Sequence, residues 1–125
     1  MKRSGIGVVS RKLRYRPVIK DDGTTEYIAQ EKGIDVRLAL DLVTFARQHC
    51  FGVAIVFSQD QDLAEVVAEI RNIAKEQNRD ITLCCPFPAG PSATVLRGIR
   101  GTKWFPMDQA FYDACLDPKD YRPRR

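Results

Sequence analysis

An α/β fold, a three-layer sandwich on a mainly parallel sheet, is what this sequence predicts, and three observations predict it. Apolar runs of strand length alternate with stretches of helical period, in the order strand, helix, strand, helix, strand. The run Val53-Ala54-Ile55-Val56-Phe57 is unbroken and rich in β-branched and aromatic residues, as in a strand covered on both faces. It stops abruptly in the polar segment Ser58-Gln59-Asp60-Gln61-Asp62. In parallel sheets flanked by helices, ligands bind outside the carboxyl ends of the strands, which places Ser58, Asp60 and Asp62 where chemistry is expected.

The elements follow in order. Gly7 to Ile19 predicts an extended segment in which Leu13 and Tyr15 alternate with Lys12, Arg14 and Arg16. Pro17 confines it to an edge or a strand end, and Asp21-Asp22-Gly23-Thr24 is a turn signal. A helix is predicted over roughly Asp35 to Gln48, apolar nearly all round and so packed deep against the sheet. After Val53–Phe57, the residues Leu63, Val66, Val67, Ile70, Ile73 and Ala74 stand at the spacing of one buried helix face. Asn78-Arg79-Asp80 makes a turn, Ile81–Cys85 a further strand, and Pro86, Pro88, Gly90 and Pro91 a loop. Ser92 is a suitable cap for a short helix, Ala93 to Arg97. Lys103-Trp104-Phe105-Pro106 predicts a last strand, Gln109 to Leu116 a terminal helix, and residues 117–125 a frayed basic tail.

With 125 residues, 44% hydrophobic and 29% charged, the chain is expected to form one soluble domain over residues 1–125. No apolar run is long enough to cross a bilayer, and the first residues lack the apolar core of a signal peptide, so a cytoplasmic protein without a membrane partner is expected. Cys50, Cys84, Cys85 and Cys115 show no C-x-x-C spacing, and the Cys84-Cys85 pair inside an apolar run fits buried free thiols. His49 is the only histidine, which all but excludes His-based metal sites and a Ser-His-Asp triad. The net charge is +4, but seven of the 20 basic residues fall in residues 1–20 and seven more in 97–125. Basic ends around a more acidic middle suggest a polyanion, nucleic acid foremost; solvated surface charge is the plainer alternative.

Four carboxylates carry the chemical argument. Asp62 and Glu65 have the spacing of an N-terminal capping box, a role that does not exclude a second one. Asp60 needs no such role, and a neighbouring carboxylate of like charge calls for a cation. Asp35 is either a plain helix cap or a residue whose side chain leaves the helix axis. Asp41 lies within the apolar helix, where an unpaired charge is costly.

Two motifs, Lys32-Gly33-Ile34-Asp35-Val36-Arg37-Leu38-Ala39-Leu40-Asp41 and Ser58-Gln59-Asp60-Gln61-Asp62-Leu63, resemble those of the NYN-domain family. That family includes the LabA-like proteins and belongs to the PIN-like nucleases. The resemblance covers residues 31–85 and, more weakly, Ala93 to Phe105. It implies a PIN-like fold of the NYN type and a divalent-metal-dependent ribonuclease. Acidic side chains would hold Mg²⁺ or Mn²⁺, which activates water for attack on a phosphodiester and screens phosphate charge. Carried over, Asp35, Asp60 and Asp62 become metal ligands or orienters of bound water, Asp41 supports them, and Ser58 bonds a carboxylate or the phosphate. Lys32, Arg37, Arg97, Arg100 and Lys103 become contacts to the backbone of single-stranded RNA.

Two departures accompany the resemblance. Gln59 stands where the family has glycine. Residues 1–20 hold no acid, so the family's opening strand and its aspartate have no counterpart, and a shortened or degenerate member is expected. A sheet lacking that strand would expose an edge and invite a homo-oligomer. The rival expectations are a catalytically inactive RNA-binding or interaction module, and a nucleotide-binding α/β domain, the latter disfavoured by the want of a Gly-rich phosphate loop.

Overall fold

The computed structural model describes residues 5–122; Lys2, Arg3, Arg124 and Arg125, four of the basic residues of the two ends, lie outside the described residues. The chain divides into two compact units, Met1–Thr44 and Phe45–Arg125.

In the first unit a hairpin pairs β1 (Arg14–Ile19) antiparallel with β2 (Thr25–Gln30), Arg14 facing Gln30 and Ile19 facing Thr25. The turn is the one the sequence signals. Lys20 and Thr24 close it through a backbone bond of 2.8 Å, and Gly23 supplies the left-handed φ of 80°. Asp22 accepts from both the amide and the hydroxyl of Thr24, and these bonds, the hydroxyl's first, hold its carboxyl below the usual range. β2 is not among the sequence expectations, and the extended segment expected from Gly7 becomes a strand only at Arg14. Pro17 faces Tyr27 in a two-stranded ribbon, where each strand is an edge and a missing amide is tolerated.

Helix α1 (Ile34–Arg47) opens in the first unit and ends in the second. Its first amide is capped by the Glu31 carboxylate at 3.0 Å, not by Asp35, which sits one residue inside the first turn. The expectation of a deeply packed helix is not met. Only Ala46 is buried, while Val36, Leu40 and Phe45 are exposed.

The second unit contains the parallel α/β core. Strand β3 (Val53–Ile55) leads through a 3-10 turn (Gln61–Leu63) into α2 (Ala64–Glu76), then β4 (Thr82–Pro88), β5 (Lys103–Met107) and α3 (Gln109–Ala114). The three strands form one parallel sheet in the order β3-β4-β5. Val67, Ile70 and Ile73 give α2 its buried face, and Leu63 in the preceding turn extends the same three-to-four-residue stripe. With Val56, Leu83, Cys85 and Ile99 they make the core of this unit. The carboxyl end of α1 is tied here as well. Arg79 donates to the carbonyls of Ala46 and Phe51, Gln77 donates to those of Ala46 and Arg47, and Arg47 pairs with Glu69 at 2.9 Å.

Three sequence expectations are corrected here. Val53–Phe57 is not a strand covered on both faces. β3 is short and lies at the sheet's edge, with Val53, Ile55 and Phe57 exposed by 61%, 60% and 71%; β4 is the central strand. Second, β4 continues through Pro86 and Pro88 instead of yielding to a loop. Thr82 donates to Gly52 and the Cys84 carbonyl accepts from Val56, so even-numbered residues of β4 turn their backbone groups toward β3. Beyond Cys84 the strand β3 has ended, and the two prolines sit where no ladder donor is called for. Third, no helix forms over Ala93 to Arg97; the carbonyls of Val95 and Arg97 accept instead from the Gln59 side chain across the unit. Asp108 caps α3 by accepting from Phe111, and Phe111 stands edge-on to Phe105 with centroids 5.4 Å apart. In the tail, Asp117 binds Lys119 and Tyr121, and Asp120 binds Arg122, making local turns up to the last described residue.

One close approach fixes the loop before β5. A Cβ on Gly98 would lie 2.9 Å from both the Cys85 sulfur and Cδ1 of Trp104. Gly98→Ala is expected to destabilise the protein by about 1–3 kcal/mol through overpacking, read as a lower urea midpoint; an unchanged midpoint would mean that the loop yields freely.

Candidate functional site

The site is built from the carboxyl end of β3 upward. After Val56 the chain leaves the ladder, and the Ser58 hydroxyl accepts from the amide of Asp60 at 3.2 Å. Asp60, in extended conformation, caps the 3-10 turn: its Oδ1 accepts from the amide of Asp62 at 2.9 Å. The cap is therefore Asp60, and the capping-box reading of Asp62 with Glu65 is corrected, since α2 begins after Leu63 with no side-chain cap. This arrangement holds two carboxylates at the strand mouth, Asp60 half-buried and Asp62 exposed.

The loop 95–100 is fastened to this turn by two glutamines. Gln59 donates from Nε2 to the carbonyls of Val95 and Arg97, both at 2.9 Å. Gln61 donates to the carbonyl of Gly98 at 2.9 Å and accepts from the amide of Arg100 at 3.0 Å. Arg97 and Arg100, both exposed, are thereby held beside the Ser58–Asp62 turn by their backbones. Neither glutamine figures among the predicted site residues. The signal that could have found them is the amide side chain on each flank of Asp60, a group that both donates and accepts and so suits cross-linking of loops.

Beneath the turn lies a sulfur-centred contact. Cys85 donates from Sγ to the Ser58 carbonyl at 3.0 Å and accepts from the amide of Ile99 at 3.2 Å. Cys85 is fully buried and Cys84 half-buried, whereas Cys50 and Cys115 are exposed; all four are free thiols.

The remaining predicted residues lie elsewhere. Lys103 opens β5 and lines a cleft of about 390 Å³ with Arg71, Thr82 and Gly101, toward the amino ends of β4 and β5. In the first unit, Asp35 stands in the first turn of α1 and Lys32 is exposed just before it. Asp41 is half-buried and not an unpaired charge: Arg37, one turn earlier, pairs with it at 2.6 Å. Arg37, an expected phosphate contact, thus already neutralises Asp41.

Whether the residues at the strand mouth suit a divalent cation can be judged from their free oxygens. Among the described residues, Oδ2 of Asp60 and both oxygens of Asp62 have no hydrogen-bond or salt-bridge partner. Hard oxygens of this kind suit Mg²⁺ or Mn²⁺, and magnesium characteristically takes one or two carboxylates and completes its shell with water and substrate phosphate. A cage of three or more His, Cys, Asp or Glu side chains is not found among the described residues.

No helix among the described residues is long and apolar enough to cross a membrane. Comparison of the chain with protein-family models, with curated proteins and with solved structures gives no match in any of the three.

The glutamine fastening has a direct test. Gln61→Ala removes the bonds to Gly98 and Arg100, and faster hydrogen exchange is expected at residues 95–100 with α2 unchanged. Equal exchange in wild type and variant would show that the loop is held by other contacts.

Proposed function

We propose that this chain is a divalent-metal-dependent ribonuclease of the NYN, PIN-like type, hydrolysing RNA phosphodiester bonds with Mg²⁺ or Mn²⁺. The observation that carries the reading is the Ser58–Asp62 turn at the mouth of β3, with the loop bearing Arg97 and Arg100 fastened against it. Carboxylates on a turn to which an arginine-bearing loop is fastened by its backbone suit one substrate, a phosphodiester, whose charge the arginines attract and whose hydrolysis calls for a metal.

On this reading Asp60 and Asp62 hold the cation, which when bound lowers the pKa of a water and screens the phosphate. Asp60 does so with its free oxygen while its other oxygen keeps the turn. Ser58 fixes the Asp60 backbone and so sets where that carboxylate stands. Arg97 and Arg100 bind the RNA backbone, which gives salt-sensitive and weakly sequence-selective association. Asp35, Asp41, Lys32 and Lys103 keep their family roles only as part of the same proposal. The finer fold description, a three-layer PIN-like sandwich, rests on it too.

A second reading, an RNA-binding module without catalysis, is favoured by one observation: one Asp60 oxygen is already engaged by the turn. The two readings part in a single assay. Labelled single-stranded RNA with Mn²⁺ is expected to be cleaved by the wild type and spared with EDTA. Asp60→Asn, which can still cap Asp62 through its amide oxygen, is expected to lose about 100-fold in rate, equivalent to about 2.7 kcal/mol. RNA left intact by the wild type, yet bound at low salt, would overturn the nuclease and leave the binding module.

A further inference from the structure

The parallel sheet has three places where backbone groups face away from a neighbouring strand, and two of them carry proline. Past the end of β3, β4 has Pro86 and Pro88 at the positions that turn toward β3. On β5, the amide of Ala89 donates to the Met107 carbonyl, so Lys103, Phe105 and Met107 turn inward and Trp104 and Pro106 outward. Pro106 therefore removes a donor from the outer edge. Proline at such positions is a common device against unwanted strand pairing.

The outer edge of β3 has no such device. Gly52, Ala54 and Val56 direct their groups to β4, which leaves those of Val53 and Ile55 facing outward, with Phe57 next in the same alternation just past the strand. These residues have no backbone partner among the described residues, and no charge or proline lies between Gly52 and Ser58. Their side chains share one face of the sheet and are all more than half exposed. An apolar strand with an open ladder is a template for another strand.

We infer that this edge pairs with the same edge of a second copy, antiparallel about a two-fold axis at Ile55. The strand is its own complement in that register. Ile55 faces Ile55, and Val53 faces Phe57 on either side. Each of these pairs is of the hydrogen-bonded kind, so all the outward amides and carbonyls of the three residues are satisfied. No like charges meet, and the two three-stranded sheets become one sheet of six. The pairing is isologous, as a closed dimer requires. It stands apart from the nuclease reading and uses none of its residues.

The test is the mass of the full chain in solution. Light scattering at about 100 μM, where a micromolar Kd is saturated, is expected to give twice the 14.2 kDa of one chain. Ile55→Lys, at a position already 60% exposed, is expected to return the single mass. Register is read by oxidative cross-linking with oxidised glutathione in a Cys50→Ser, Cys84→Ser, Cys115→Ser background, Cys84 being removed because it neighbours Ile55 in the ladder. Ile55→Cys is expected to link, since a hydrogen-bonded pair sets its Cα atoms about 5.5 Å apart. Val53→Cys is expected not to link, its own copy lying four residues, about 13 Å, away. A single mass for the wild type, a dimer indifferent to Ile55→Lys, or equal linking by both cysteine variants would each overturn the proposal.

Discussion

The carbonyl of Ile99 accepts from three donors: the amide of Thr102, the hydroxyl of Thr102 at 2.6 Å and the indole of Trp104 at 2.8 Å. The amide of the same residue donates to Cys85, and its side chain is buried to 1% exposure. Ile99 thus joins the loop before β5 to the central strand β4, and through the Cys85 sulfur to the Ser58 carbonyl at the end of β3. Buried polar groups are costly unless bonded, so this knot holds only if every member is in place. Gly98 has to be glycine for Ile99 to reach Cys85. The strand mouth, the arginine loop and the entry to β5 all depend on that one seating.

Much of this was legible in the residues, for reasons that differ by element. The buried stripe of α2 was plain because a 3.6-residue period has one explanation in a soluble chain, and Leu63, Val67, Ile70 and Ile73 keep it. The turn at Asp21–Thr24 was plain because Gly23 takes a φ that other residues avoid. What was not legible depended on partners distant in sequence. Ala93–Arg97 has helical composition, but the carbonyls of Val95 and Arg97 serve Gln59, more than thirty residues away. Pro86 and Pro88 read as loop because their tolerance in β4 depends on where β3 stops, and β3 stops early. An apolar pentapeptide suggested a doubly covered strand, and composition alone does not separate that from an edge strand whose other side awaits a partner.

The candidate site was half legible in the same sense. The placing of Ser58, Asp60 and Asp62 at a strand mouth followed from the abrupt end of an apolar run. Which carboxylate served the backbone did not, because Asp60 and Asp62 are both two or three residues from an amide that needs an acceptor. The 3-10 turn decides it: a tighter turn brings the amide of Asp62 to Asp60 and starts α2 at Ala64, two residues after the expected cap. Asp41 offers the opposite lesson. Its charge in an apolar helix suggested function, yet an arginine one turn earlier is enough to account for it.

Gln59 connects the site to the fold. A glycine there would allow the turn but could not reach Val95 and Arg97; glutamine does both, accepting a less free backbone in exchange for two bonds that fix the arginine loop. The position is therefore better understood as a fastening than as a defect in a turn. The same economy runs through the sheet. Pro86, Pro88 and Pro106 stand at positions where the ladder has no further strand to meet. The outer edge of β3 carries no proline, and the pairing proposed above would give its free backbone groups a strand.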